Sequence, residues 1–241
     1  MLFFNKNKVI LKDLIPDNHI DIHSHLLPGI DDGAQTIEDT IFLQNSLKNM
    51  GISNFITTPH IFSGFWDNTK DKIIALELET NLNLNNRPPL KAAAEYLMDD
   101  HFVSLFQKEE ILTLKDKHVL VEMSYLNPPI QLFDIIFDLQ IAGYKPVLAH
   151  PERYTFYHNN FEAYRKLKNS GCLFQINLLS TVGYYGKEVT QTAEKLLKQG
   201  LIDFVGSDVH HKKHIESFEN KILIKDLQPL KEAIINNQFF K

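Results

Sequence analysis

Cysteine is almost missing from this chain: Cys172 is the single thiol in 241 residues. One thiol excludes an intrachain disulfide and any thiolate metal cluster, so a bound metal must be held by nitrogen and oxygen. Blocks of Lys or Arg are also lacking and the formal net charge is −5, so nothing here tracks a phosphate backbone and no nucleic-acid partner is expected. No apolar run approaches the roughly 18 residues needed to span a bilayer, so no membrane insertion is expected either. The opening MLFFNKNKVILKDLIP is broken by Lys6, Lys8 and Lys12, and no small-residue cleavage site follows, which makes the cytoplasm the expected location. Linkers rich in Pro, Gly or Ser and regular repeats are absent, so residues 1–241 read as one domain.

What is present is an ordinary globular composition, 44% hydrophobic and 23% charged, arranged as alternating short apolar runs and longer stretches of helical spacing. Seven strands are expected, over His19–His25, Asn54–Pro59, Leu90–Glu95, His118–Glu122, Lys145–His150, Cys172–Asn177 and Asp203–Asp208. Helices are expected over Thr36–Met50, Lys70–Leu84, Pro129–Ala142, Phe161–Ser170 and Lys187–Gln199, with Gly51, Gly143, Gly171 and Gly200 placed to end four of them. Alternation of this kind gives an α/β fold with a parallel sheet. Strands such as FITTP and PVLAH, apolar on both faces, suit a barrel or a doubly wound sheet.

The ligand-type residues gather at the strand ends. His23 and His25 lie two apart, on one face of a strand; His60 follows TTP, Glu95 ends the third run, Glu122 the fourth and His150 the fifth, and Asp208 and His210 close the last. The remaining run ends in FQIN. In a parallel barrel these ends meet at one mouth, where several carboxylates need cations between them. Imidazole and carboxylate without sulfur suit manganese, iron, zinc or cobalt, and shared carboxylates favour more than one ion. An isolated strand-end histidine is more often solvated than ligating, but the joint pattern points to a metal site. Asp31 and Asp32 fit either a turn capping the helix near Thr36 or, for Asp32, a ligand supported by Asp31. His19, His101, His118, His158 and His211 fit no strand end and read as surface or packing residues.

The motifs DIHSH, TTPH, HPER and SDVH, in that order, resemble those of PHP-class phosphoesterases. DIHSHLLPGIDDGA, GYKPVLAHPERY and QINLLSTVGYYGK are similar to the CpsB/CapC-type tyrosine-protein phosphatases of capsule and exopolysaccharide operons. The resemblance implies a distorted seven-stranded, TIM-like barrel and a centre of three divalent ions, usually manganese, with iron, zinc, cobalt or magnesium as alternatives. It also implies hydrolysis of phosphotyrosine on a cognate bacterial tyrosine kinase. Carried over residue by residue, it puts His23, His25, Glu95 and Asp208 around one ion. Glu95 bridges to a second ion with Glu122 and His150, and Asp32, His60 and His210 take the third. Arg153 matches the phosphate-binding arginine, so Arg153, Asp208 and His210 are the expected catalytic residues, His210 as one candidate proton donor. Family members usually open at the DIH motif, which by resemblance leaves residues 1–18 here as an N-terminal extension of no assigned role, and they commonly carry another arginine after the last motif. SDVHHKKHIESF has none, leaving Lys212, Lys213 or His214 to supply charge without a planar fork.

Phosphate-ester hydrolysis by a metal-activated hydroxide, with Arg153 holding phosphate oxygens, is the expected chemistry. A cysteine phosphatase needs an arginine six positions after its nucleophile, and Leu178 stands there after Cys172. Phe62, Phe65, Trp66, Tyr184 and Tyr185 follow strand ends and suit either an aryl pocket or packing on the rim. The alternatives to a tyrosine phosphatase are a small-molecule phosphomonoesterase such as a histidinol-phosphate phosphatase and a non-catalytic metal-binding regulatory domain.

Overall fold

A computed structural model describes residues 9–85 and 87–241; residues 1–8 of the N-terminal extension lie outside the described residues. The strands are β1 (His19–Asp21), β2 (Ile52–Thr57), β3 (His60–Ile61), β4 (Leu90–Ala92), β5 (Glu95–Leu97), β6 (His118–Glu122), β7 (Lys145–Ala149), β8 (Leu173–Asn177) and β9 (Phe204–Gly206). The helices are α1 (Ile37–Lys48), α2 (Lys70–Asn83), α3 (Asp100–Lys108), α4 (Leu132–Ile141), α5 (Phe161–Asn169), α6 (Lys187–Lys198), α7 (Lys212–Ser217) and α8 (Gln228–Asn236). Every strand pair is parallel, in one sheet of order β1-β2-β4 and another of order β3-β5-β6-β7-β8-β9.

The fold class is therefore α/β with parallel sheets, but two of the seven expected strands are interrupted. The run expected over 54–59 ends at Thr57, ahead of Pro59, which has no N–H for a ladder, and a new strand opens at His60. Thr58 N still donates to Ser24 O, and Pro59 O accepts from Glu95 N, so the chain stays extended while it leaves one sheet and joins the other as β3. Residues 90–95 divide in step at Ala93–Ala94, which makes Glu95 the start of β5 and not the end of a strand. The first strand stops at Asp21, short of the expected His25.

Between β1 and β9 the regular ladder is replaced by separate contacts. Asp208 N donates to His23 O, His25 N donates to Val209 O, and Ser24 bridges Val209 in parallel. Lower down, the Asn237 amide takes the place of a peptide group: its Nδ2 donates to Ile20 O and Val205 O, and its Oδ1 accepts from Val205 N. Ile20, Ile56, Leu120, Val147 and Phe204, drawn from both sheets, form one interior cluster with Phe240. Their sequence neighbours Val119, Val121 and Leu148 pack outward against the helices. Burial on both faces explains the continuous apolar runs.

The five expected helices are present as α1, α2, α4, α5 and α6. Helix α1 begins at a capping box, with Thr36 Oγ1 accepting from Asp39 N at 3.2 Å and the Asp39 carboxylate accepting from Thr36 N at 3.1 Å. It is followed by Gly51 at φ +104°, where a Cβ would lie 2.9 Å from Pro16 O. In the described part of the N-terminal extension, Leu11 is buried and Ile10 bridges Lys221 in antiparallel fashion.

Candidate metal centre

Seven of the nine expected ligands, Asp32, His60, Glu95, Glu122, His150, Asp208 and His210, line one cleft, and His23 and His25 lie fully buried against Glu95 and Asp208. Gln175 on β8 sets the first histidine. Its Nε2 donates to Ile176 O at 2.7 Å, so its Oε1 faces His23 Nδ1 at 2.7 Å and that ring nitrogen must donate. Asp31 does the same for His25, accepting from Nδ1 at 2.8 Å while also accepting from His60 N and Gly33 N. With both Nδ1 atoms donating, the neutral rings leave both Nε2 lone pairs pointing at each other, 3.3 Å apart. Glu95 Oε2 lies 3.1 Å from His23 Nε2 and 3.5 Å from His25 Nε2, and Asp208 Oδ1 lies 3.3 and 3.5 Å from the same atoms. Four acceptors converging in a fully buried space require positive charge among them.

Three further groups share the cleft. His60 Nδ1 is 2.9 Å from Glu122 Oε1 and 3.3 Å from Glu95 Oε2. His60 Nε2 and His210 Nε2 lie 3.6 and 3.5 Å from Asp32 Oδ1. His150 Nε2 is 3.0 Å from Glu95 Oε1, and its Nδ1 is buried with no hydrogen-bond partner, which leaves a nitrogen free to ligate. Ligand atoms within 4.8 Å of one another form four sets: His25, Asp32, His60 and His210; His23, His25 and Glu95; His23, His150 and Asp208; and His60, Glu95 and Glu122. This partition differs from the one carried over from the resemblance, because His60 now stands with Glu95 and Glu122, and His150 with His23 and Asp208. The donor set is nitrogen and oxygen only, which fits divalent transition metals.

Electrostatics say the same. Burial opposes charging of His60, yet Glu122 and Glu95 beside it push the ring up to about 9. Burial likewise opposes ionisation of Glu95, but His23 and His60 hold it well below the usual carboxylate range; Asp208 is held down in the same way by His23 and His210. Protonated imidazoles can thus supply the positive charge the carboxylates require, and cations would displace those protons. Two residues of the cluster also sit in left-handed backbone, His150 at φ 35° and Asp208 at φ 51°. Such strain costs about 1–3 kcal/mol per residue and gathers at functional sites.

Arg153 closes one side. Its Nη1 donates to Asp208 Oδ2 at 2.7 Å, an oxygen that also accepts from Asn177 Nδ2 at 2.7 Å. The guanidinium lies 4.9 Å from the Tyr125 ring centroid and 4.2 Å from that of Tyr185. Both rings, with Arg153 itself, line the cleft of about 540 Å3 that holds the cluster, so the guanidinium is braced and aimed before any ligand arrives. His214 also lines this cleft, with burial and neighbouring His210 depressing its ring to about 3. Lys212 lines an adjoining depression and lies 3.8 Å from Glu216, and Lys213 is exposed and absent from the cleft lining. Of the three residues expected to replace the missing arginine, the structure brings only His214 to the cleft, and it is an uncharged ring near neutral pH. His211, expected to be a surface or packing residue, lines the cleft as well.

Gln175 and Asn177 were not among the expected site residues, although they are the polar residues of FQIN, the one strand end without histidine or carboxylate. The close approach that Gln175 needs is visible at Gly206. A Cβ there would lie 2.6 Å from Gln175 Nε2 and 2.7 Å from His23 Cβ. Gly206→Ala is expected to displace His23 and weaken metal binding by about 10- to 100-fold, the usual cost of disturbing a ligand's support, as titration of the metal-free protein would show.

Cys172 is buried beside β8, with burial pushing its thiol up to about 12. It lies outside the cleft lining. Cys172→Ser is expected to leave turnover within about twofold of the parent, and total loss in a folded variant would contradict the packing role.

Residues 19–218 match the family model described as capsular polysaccharide synthesis, CpsB/CapC. The tyrosine-protein phosphatase YwqE of Bacillus subtilis is 32% identical over 202 residues, covering 80% of this chain and 78% of the relative. The putative tyrosine-protein phosphatase CapC of Staphylococcus aureus is 29% identical over 199 residues, 79% and 76% of the two chains. Among solved structures, a chain from work on YwqE of B. subtilis and CpsB of Streptococcus pneumoniae, described as unique metal-dependent tyrosine phosphatases, superposes with a TM-score of 0.77 at 29% identity, covering 92% and 88%. The histidinol phosphate phosphatase of Lactococcus lactis, at 15% identity and a TM-score of 0.52, covers 83% of this chain and 90% of its own, and shares the fold.

Proposed function

The chain belongs to the CpsB/CapC family of capsular polysaccharide synthesis, and from that premise we propose that it is a metal-dependent protein-tyrosine phosphatase, a phosphoric monoester hydrolase formed by residues 1–241 as one PHP-type domain. The observation that carries this is the meeting of His23 Nε2, His25 Nε2, Glu95 Oε2 and Asp208 Oδ1 next to a braced arginine. His23, His25, Asp32, His60, Glu95, Glu122, His150, Asp208 and His210 would hold three divalent ions, manganese first among the candidates. When bound, such ions supply an activated water near neutral pH and neutralise phosphate oxygens.

The chain's own residues do the rest. Arg153 presents its remaining N–H groups to non-bridging phosphate oxygens, held by Asp208 on one edge and by Tyr125 and Tyr185 on its faces. Asn177 keeps Asp208 in place and donates also to Tyr185 Oη at 3.0 Å, which ties the metal side of the cleft to the substrate side. His210 Nδ1 faces Asp208 O at 2.9 Å, a contact in which only the ring can donate. In the neutral ring Nε2 is then an acceptor, and we assign His210 to cation binding in preference to proton donation. A phenol, with pKa near 10, leaves as phenolate without a strong demand for a dedicated acid.

The proposed substrate is phosphotyrosine on a bacterial tyrosine kinase that regulates capsule or exopolysaccharide synthesis, met in the cytoplasm. No helix among the described residues is long and apolar enough to cross a membrane. Turnover of the manganese-loaded protein on a phosphotyrosine peptide and on histidinol phosphate tests the assignment. Higher kcat/KM for the peptide is expected, and a preference of about a hundredfold for histidinol phosphate would contradict it.

A further inference from the structure

The segment Phe62–Trp66, sequence FSGFW, follows β3 directly and folds into a tight hairpin. Phe62 N donates to Trp66 O at 3.1 Å and Trp66 N to Phe62 O at 2.8 Å, with Gly64 at φ +83° at the tip. Asp67 Oδ1 accepts from Gly64 N at 2.8 Å, and Asn68 Nδ2 donates to both His60 O and Ile30 O. The hairpin is thereby fixed relative to His60. Trp66 stacks on the His60 ring, with centroids 4.8 Å apart and planes 18° apart, and Phe65 lies 4.8 Å from Phe62.

A hairpin whose only task was to pack on the rim would bury its aromatic rings, since covering a Phe side chain is worth about 1.5–3 kcal/mol. Phe65 instead stays 75% exposed while lining the cleft, and Leu126, which also lines it, is 85% exposed. The segment carries no charge, so it offers nothing to a phosphate group. The cleft thus has a charged base and an apolar wall.

We propose that the Phe62–Trp66 hairpin is the aryl-recognition element of the cleft, with Phe65 and Trp66 holding the phenyl ring of the phosphotyrosine substrate. The proposal deepens the phosphatase assignment and rests on it. The ring fixes the ester in the base of the cleft at little ordering cost, because the wall is already rigid. An alkyl phosphate such as phosphoserine would reach the same base without touching the wall.

Two measurements on the manganese-loaded protein test this. In the first, Phe65→Ala and Trp66→Leu each raise KM for a phosphotyrosine peptide about tenfold, while Ki for inorganic phosphate, which has no ring, changes less than about twofold. Unchanged KM would overturn the proposal, as would a parallel rise in Ki, which would mean that the hairpin acts only by propping His60. In the second, emission from Trp66, the single tryptophan of the chain, reports binding of phenylphosphonate to the parent and to Phe65→Ala. Phenylphosphonate is expected to bind the parent at least about tenfold more tightly than inorganic phosphate does, and Phe65→Ala to remove that advantage; equal affinities in the parent would overturn the proposal. A parent that binds phenylphosphonate in this way yet leaves phosphotyrosine intact would contradict the phosphatase assignment and leave the ring site standing.

Discussion

Replacing His23 and His25 together by alanine is expected to lower phosphatase turnover by about a thousandfold or more, with the fold retained by circular dichroism. The two rings supply the Nε2 atoms around which Glu95 and Asp208 gather. Removing them leaves two buried carboxylates with less opposing charge. Burial already pushes Glu95 toward its neutral form, and His23 and His60 keep it ionised. Without His23 its pKa rises, so a proton replaces a cation and the ligand set weakens further. The strands beneath are held by the interior cluster of Ile20, Val147, Phe204 and their neighbours, which the double variant does not touch. Near-parental turnover with metal added would contradict the assignment of both rings.

Arg153→Ala is expected to lower kcat/KM for a phosphotyrosine peptide by about 100- to 1,000-fold, and Arg153→Lys to recover little of it. A lysine is a point charge. It cannot donate to Asp208 and present a planar fork to phosphate at the same time, and it loses the stacking that Tyr125 and Tyr185 provide at 4.9 and 4.2 Å. Asn177 still holds Asp208 Oδ2 in these variants, so metal content should stay near that of the parent. A variant that loses metal and activity together would place Arg153 in support of the metal centre, not in contact with substrate.

The residues of the proposed ligand set could be picked out in the sequence because each carries its own chemistry and because a parallel α/β fold gathers strand ends. The support of His23 could not. Gln175 reaches His23 only because β8 pairs with β9, whose following turn carries Asp208 back to His23. An amide in FQIN has no signature that distinguishes such a role from packing. Asp31 was legible as a support because it lies within the same short loop as Asp32 and His25. The split of residues 54–59 was marked by Pro59, but that of 90–95 was not, since Ala93 and Ala94 are compatible with an unbroken strand. Helix α3 was missed although Asp99 caps it through Phe102 N and Phe102 and Phe106 bury one face. It has nine residues of which two are buried, as does α5, which was expected, so length alone does not account for the omission. Lys212 and Lys213 looked suited to replace a second arginine by position alone. The turn of α7 leaves Lys213 exposed and brings His214 to the cleft, a distinction that depends on the angle at which that short helix leaves His211.

The metal centre is tested most directly by anomalous scattering from crystals of the protein loaded with manganese. Peaks are expected inside the cleft within about 2.0–2.6 Å of nitrogen and oxygen ligands, one of them bounded by His23, His25, Glu95 and Asp208 and the others by sets that include Glu122, His150, His60, Asp32 and His210. A cleft without anomalous signal at saturating manganese, or ions bound only elsewhere on the surface, would contradict it.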